Sequence, residues 1–175
     1  VVATLKSQIK GGDEILITPF EHHSNIVPWQ VLCEQTGAKL KVVSFDREQG
    51  MTLEAFKQSI TENTKFASFI FYSNSFGQRF PVEQMVETCR SKGVLTLIDA
   101  AQAMIAEKID VKKLGCDFLV FSGHKMYGPY GVGALYINQK HLETWPPYQT
   151  GGSMIDRVTF EKTKFAEAPK KFEAG

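Results

Sequence analysis

Short apolar runs that end in polar, reactive residues and hand over to helical patterns recur along this chain, and that alternation restricts its fold more than any other feature. EILIT, bounded by Gly11-Gly12-Asp13 and Pro19, reads as a strand. In EHHSNIVPWQVLCEQTG, Ser24 or Asn25 is placed to cap a helix, Pro28 to sit in its first turn and Gly37 to end it. Its apolar face would include Val27, Val31 and Leu32. LKVVSF, MTLEAFKQSI and FASFIFYSN repeat the change from strand to helix to strand. Pro81 opens a helix with Val82, Met85, Val86 and Cys89 on one face, VLTLIDA follows as a strand, and VKKLG leads to the strand FLVFSGHK. GALYIN adds a last strand, WPPYQTGG reads as irregular chain, and residues 151–175 show little periodicity. Strands separated by helices call for crossover connections, so the expectation is an α/β fold: one mostly parallel sheet covered by helices, without a repeat at solenoid spacing.

With 175 residues, 43% of them hydrophobic and 22% charged, the chain has the balance of a folded globule with one core. Its 20 Lys and Arg against 19 Asp and Glu leave a formal charge of +1, and the bases are scattered, with no run longer than two. Neither nucleic acid nor an anionic membrane surface has an electrostatic claim on such a chain. No apolar stretch reaches the roughly 18 to 20 residues that cross a bilayer, and the first residues lack the order of a secretion signal. Cys33, Cys89 and Cys116 are too widely spaced for a close metal pair and odd in number for a disulfide framework, which points to a reducing, cytoplasmic setting. The opening VVATLKSQIK has no initiator Met and reads as a helix with Leu5 and Ile9 on one face, as though the sequence began inside a longer protein.

The chemistry gathers where strands end, which is where open α/β sheets place ligands. In LVFSGHKMYGPYGVGALYI, Ser122, Gly123, His124 and Lys125 follow a strand. Hydroxyl, imidazole and backbone N–H groups there suit an anion, while the lysine amine suits attack on a carbonyl; a solvated loop lysine is the plain alternative. Asp99 ends the strand in LIDAAQ, with Gln102 three residues on. A carboxylate so placed can hold a proton on a pyridine nitrogen, bind a metal or cap the next helix. His22 and His23 offer stacking, acid/base work or capping, and Glu21 can balance His22. GPYGVG follows the lysine and leads into a strand, so it is neither a Walker loop nor a dinucleotide fingerprint, and without HExxH or CxxC a zinc site has little support.

Taken in order, EHHSNIVPW, YSNSFGQRFP, LIDAAQ and FSGHKMYGPYGVG resemble the class V aminotransferase family, and within it the cysteine desulfurase and selenocysteine lyase branch. The likeness runs from the strand before His22 through PPYQTGGSMIDRV to the terminal KFEAG. It implies the large domain of a type I pyridoxal-phosphate enzyme, with a mostly parallel sheet of the seven-stranded type flanked by helices and truncated at both ends. Residues 1–175 would be its central part, and a small C-terminal domain with a cysteine loop and a substrate-binding arginine would lie beyond them. By the same resemblance Lys125 would hold pyridoxal 5'-phosphate covalently, Asp99 would face the pyridine nitrogen and Gln102 would approach the phenolic oxygen. Ser122 and His124 would bind the phosphate, His22 would stack on the ring with His23 as adjacent support, and Asn74 would lie near substrate and cofactor. DAAQ stands where DGAQ is more familiar, and YSNSFGQ where HVSNVLG is. Ala100 fits if its backbone angles are ordinary and Phe76 alters the pocket's shape, so both departures bear on substrate choice more than on the cofactor.

The implied activity is cysteine desulfuration: L-cysteine becomes L-alanine, and sulfur passes to an enzyme cysteine outside this chain. Lys125 would also shuttle protons, and His22 would join it in the catalytic set. Cys33, Cys89 and Cys116 stand in no segment like the family's mobile cysteine motif and read as packing residues. The partners implied are the amino-acid substrate, a second copy of the chain and a sulfur-acceptor protein, with no metal. Selenocysteine lysis or another class V reaction, and a non-catalytic dimerising fragment with GGSMIDRV at its interface, are the competing readings.

Overall fold

Apolar runs that alternate sides along a strand need cover on both faces, and the helices between them supply it. The computed structural model describes residues 1–48 and 50–174, so Gly175, the last residue of KFEAG, lies outside the described residues. The order is α1 (Val2–Leu5), β1 (Glu14–Ile17), α2 (Val27–Thr36), β2 (Lys39–Val42), α3 (Leu53–Ser59), β3 (Thr64–Ile70), α4 (Val82–Ser91) and β4 (Leu95–Asp99). It continues with α5 (Val111–Leu114), β5 (Phe118–Ser122), β6 (Gly133–Ile137), α6 (Gln139–Leu142), β7 (Ile155–Val158) and β8 (Thr163–Phe165).

The main sheet has six strands in the order β2-β1-β3-β4-β5-β6, all parallel except β6, which runs antiparallel to β5. This is the mostly parallel sheet expected, with six strands among the described residues. Leu16, Ala67, Ile98 and Leu119 face a core shared with Phe56 of α3 and Met85, Val86 and Cys89 of α4. Ile15, Ile17, Phe66, Leu97 and Phe118 face the other side, against Leu5, Trp29 and Leu32. One face of each strand therefore serves each helical layer, and the parallel strands direct their C-terminal ends to one edge. The chain passes from β1 to β2 on one side and then to β3 on the other, so the strand order reverses between β1 and β3.

Several local readings change. The buried side of α2 is Trp29, Leu32 and Cys33, while Val27 and Val31 are 50% and 42% exposed. Neither Ser24 nor Asn25 caps that helix: His22 caps a short 3₁₀ turn, His23–Asn25, and the Asn25 side chain is committed to buried partners instead. Residues 151–174 hold the hairpin β7–β8, whose mostly exposed strands are too short to leave an apolar alternation. All three cysteines are free and buried, as packing residues should be, and burial pushes Cys89 and Cys116 up to about 12.

Phe66 is 0% exposed at the centre of β3, its ring 4.8 Å from that of Trp29 and 6.1 Å from that of Phe118. Replacing it by Ala is expected to cost about 3–5 kcal/mol, read from the urea midpoint, because its neighbours Trp29 of α2 and Phe118 of β5 are held by their own packing and fill the space only in part.

Candidate active site

At the end of β1 the chain turns through 18–25, and a buried carboxylate organises that turn. Thr18 Oγ1 donates to Glu21 Oε1 at 2.5 Å, the Ile70 amide donates to the same oxygen at 2.9 Å, and Asn25 Nδ2 donates to Oε2 at 2.6 Å. The Asn25 carbonyl in turn accepts from Trp29 Nε1 at 2.9 Å and from Ser68 Oγ at 2.6 Å. Burial pushes the Glu21 carboxyl up to about 7; its three hydrogen bonds pull it down, and the Asp99 carboxylate adds to the rise. His22 projects outward from the turn this network holds. Its Nδ1 accepts from the Ser24 amide at 3.2 Å and lies 2.8 Å from Ser24 Oγ, and its ring centre is 6.1 Å from that of His23. Accepting an amide proton at Nδ1 leaves Nε2 as the protonated nitrogen of the neutral ring.

Two strands away Asp99 closes β4. It is 7% exposed, its Oδ1 accepts from the Ala101 amide at 2.9 Å, and its Oδ2 takes no hydrogen bond from any described residue. Because no fully enclosed side-chain oxygen lacks a partner among the described residues, Oδ2 keeps an open side. Asp99 lines a cavity of about 670 Å³ together with Leu97, Val120, Leu135, Asn25 and Trp29. Capping of the turn after β4 thus occupies one carboxylate oxygen and spares the other. Gln102 lies half-buried in that turn. Ala100 is buried, and Tyr127 and Ser153 are the non-glycine residues with positive φ among those described, so alanine is accommodated there without strain.

Ser122 ends β5 and leads into the 3₁₀ turn Gly123–Met126, which carries His124 and Lys125. The turn is folded back on itself: the Gly128 amide reaches the Gly123 carbonyl at 2.9 Å. A Cβ on Gly128 would come within 2.9 Å of that carbonyl oxygen, so the tight return needs glycine. His124 is exposed and stacked on Tyr130, with ring centres 4.9 Å apart. Lys125 is half-buried, and among the described residues its amine forms no ion pair or hydrogen bond. Ser122 is also half-buried.

Asn74 stands exposed on the 72–79 turn beyond β3, which is closed by a bridge between Tyr72 and Arg79 and by Ser73 Oγ, an acceptor for the amides of Ser75 and Phe76. Phe76 is 73% exposed and meets Phe20 edge-on at 5.7 Å. The ends of β1, β3, β4 and β5 thus bring His22, Asn74, Asp99, Gln102, Ser122, His124 and Lys125 to one edge of the sheet. Within this group Asp99 alone lines the cavity of about 670 Å³. No group of three or more His, Cys, Asp or Glu residues suited to a metal occurs among the described residues, and none of their helices is long and apolar enough to cross a membrane. Sequence reasoning missed the Glu21–Asn25–Ser68 network. The four-residue spacing of Glu21 and Asn25 was the available signal, whereas Ser68 and Ile70 enter only through the pairing of β3 with β1.

Residues 1–175 match the family model described as aminotransferase class-V. The chain is 42% identical over 170 residues to a cysteine desulfurase of Cronobacter sakazakii, a stretch that is 97% of this chain and 42% of that protein. It superposes on the apo structure of a cysteine desulfurase from Thermococcus onnurineus with a TM-score of 0.94 and 36% identity, covering 99% of this chain and 44% of that one. Two structures of C-DES each give a TM-score of 0.86 over 99% of this chain and 48% of theirs. One, 25% identical, has glycine covalently linked to a pyridoxal-phosphate cofactor; the other, 26% identical, is the cystine C–S lyase with its product cysteine persulfide. The chain spans less than half the length of these relatives.

Proposed function

Because the chain belongs to the class V aminotransferase family, we propose that it forms the cofactor-binding middle of a pyridoxal-phosphate-dependent cysteine desulfurase. That enzyme would convert L-cysteine to L-alanine and pass sulfur to a cysteine outside this chain. The observation that carries the reading is Asp99: a nearly buried carboxylate with one oxygen held by the Ala101 amide and the other open, at the end of the strand beside the one that leads to Lys125. A carboxylate placed this deeply calls for a partner, and its open oxygen leaves room for a ligand that brings a proton or positive charge to it. A protonated ring nitrogen meets that need. When bound, pyridoxal phosphate supplies an electron sink that eases bond breaking at the substrate's α-carbon.

The residues divide the remaining work. Asp99 would accept a hydrogen bond from the ring N–H and so keep the proton on nitrogen, and Gln102 would hydrogen-bond the phenolic oxygen. The Lys125 amine would hold the cofactor covalently, give way to the substrate amine, and then move the α-carbon proton at Nζ. Ser122 and His124 would bind the phosphate. The His22 imidazole would cover one ring face and exclude water from it, and Asn74 would orient substrate at the rim. Exposed Tyr127, Tyr130, Tyr148 and Phe160 support pairing with a second copy, and the three buried free thiols support a cytoplasmic setting. A sulfur-acceptor protein completes the reading.

The test is direct. Full-length protein incubated with pyridoxal phosphate and reduced with borohydride is expected to carry the cofactor on the peptide containing Lys125, and a separate unreduced sample supplied with a dithiol reductant is expected to form alanine and sulfide from L-cysteine. A protein that takes no cofactor onto Lys125 would sink the reading, and alanine formed from selenocysteine alone would move it to the lyase branch.

A further inference from the structure

Three donors meet in the Glu21 carboxylate, and none of the roles assigned above uses it. The residue stands at the place where the strand order reverses, on the β1 side, and its bond to the Ile70 amide crosses to the end of β3. Ile70 is the register partner of Asp99 in β4. The next residue after Glu21 is His22, whose carbonyl accepts from the Asn25 amide at 2.7 Å, so both ends of the short turn are held by the same network. The connection therefore runs from the His22 turn through one carboxylate to the rung that carries Asp99.

We propose that Glu21 is a positioning residue whose carboxylate locks the His22 turn onto the Ile70–Asp99 rung and so fixes the His22 ring relative to the Asp99 carboxylate. The proposal rests on the reading that His22 and Asp99 address one ligand. An acceptor-only group is what the site requires, since Ile70, Thr18 and Asn25 all donate to it. Asn25 cannot reverse its amide without losing Trp29 and Ser68, because its carbonyl already receives both. Glutamine at position 21 consequently presents an amide NH₂ either to the Asn25 NH₂ or to the Ile70 amide, and two donors then face each other. Aspartate at position 25 removes that conflict. It accepts from the introduced glutamine as well as from Trp29 and Ser68, reversing the direction of one hydrogen bond while keeping the network whole.

The experiment compares full-length wild type, Glu21→Gln, Asn25→Asp and the double variant. Two readouts are taken: the His22 ring nitrogen signals in cofactor-free protein, and the dissociation constant for pyridoxal phosphate with the visible circular dichroism of the bound form. Wild type is expected to show His22 protonated at Nε2. Glu21→Gln is expected to blur that preference and to weaken cofactor binding by roughly tenfold, the low end of the effect seen when a residue that orients a metal-bound histidine is lost. The double variant is expected to recover both to within about threefold. Trp29→Phe serves as the control, since it removes a donor at the far end of the network and should lower stability without moving the His22 signals. Unchanged His22 signals in Glu21→Gln, or a double variant no better than the single, would overturn the proposal. If Glu21→Gln does not fold, the double variant decides alone: wild-type His22 signals support the proposal and their loss overturns it. Failure of wild type to take up cofactor would instead refute the function proposed above, while the cofactor-free His22 signals would still judge Glu21.

Discussion

Replacing Lys125 by Ala in the full-length protein is expected to abolish the borohydride-trapped adduct and to lower alanine formation from L-cysteine by roughly a thousandfold or more, because one amine both bonds the cofactor and moves the proton, and proton transfer alone is worth about 10²–10⁴-fold. The fold should be almost indifferent. Among the described residues the Lys125 amine has no hydrogen bond or ion pair to lose, and the turn that carries it is shaped by Gly123 and Gly128 through main-chain contacts. Unfolding is therefore expected within about 0.5 kcal/mol of wild type. Lys125→Arg is expected to fail as completely, since a guanidinium stays protonated and offers no nucleophilic nitrogen. Steady-state alanine assays beside urea unfolding separate the two effects. Activity within tenfold of wild type in either variant would remove Lys125 from the chemistry.

Asp99→Asn tests the charge at the other end of the proposed ring. The substitution keeps a carbonyl oxygen for the Ala101 amide and changes little in volume, so the turn after β4 should hold. What disappears is the negative charge beside the cavity. A neutral amide gives a protonated ring nitrogen far less support in a partly dry site, and the expected loss is roughly a hundredfold to a thousandfold in turnover, the scale seen when one preorganised electrostatic partner is removed. Cofactor affinity should fall with it. A second consequence reaches Glu21: Asp99 contributes to the rise that places the Glu21 carboxyl at about 7, so that carboxyl should titrate lower in Asp99→Asn. Carbon-13 titration of the glutamate carboxyls follows that shift, and turnover within threefold of wild type would show that the Asp99 charge is not needed.

The strands that build the site were legible because they are contiguous apolar runs ending in unusual residues. ILI, FASFIF, LIDA and FLVF could be read without knowing which strand lay beside which. The face of α2 was not legible in the same way: Val27 and Val31 share its apolar spacing with Leu32, yet Trp29, Leu32 and Cys33 are the residues turned to the sheet. The apolar residues Val27, Trp29, Val31, Leu32 and Cys33 spread around most of that helix, so their spacing does not single out the face turned to the sheet. The hairpin β7–β8 escaped for a different reason. Its strands are largely exposed, and an exposed two-stranded ribbon imposes no demand for alternating apolar residues.

The candidate residues show the same division. His22, Asp99, Ser122, His124 and Lys125 stand at or just past strand ends because a polar group inside a strand buried on both faces needs a partner there, as Ser68 finds in Asn25, and that rule acts within a few residues of chain. By itself the sequence therefore determined an α/β chain with reactive groups at the ends of its strands, and through the order of its motifs the family to which it belongs. Only the tertiary structure decided which strand ends are neighbours, that Glu21 reaches Ile70 across 49 positions of chain, and that Asp99 keeps one oxygen open beside a cavity. Strand order and register arise from the joint packing of two helical layers on one sheet, a property of contacts between distant segments that no local pattern of residues encodes.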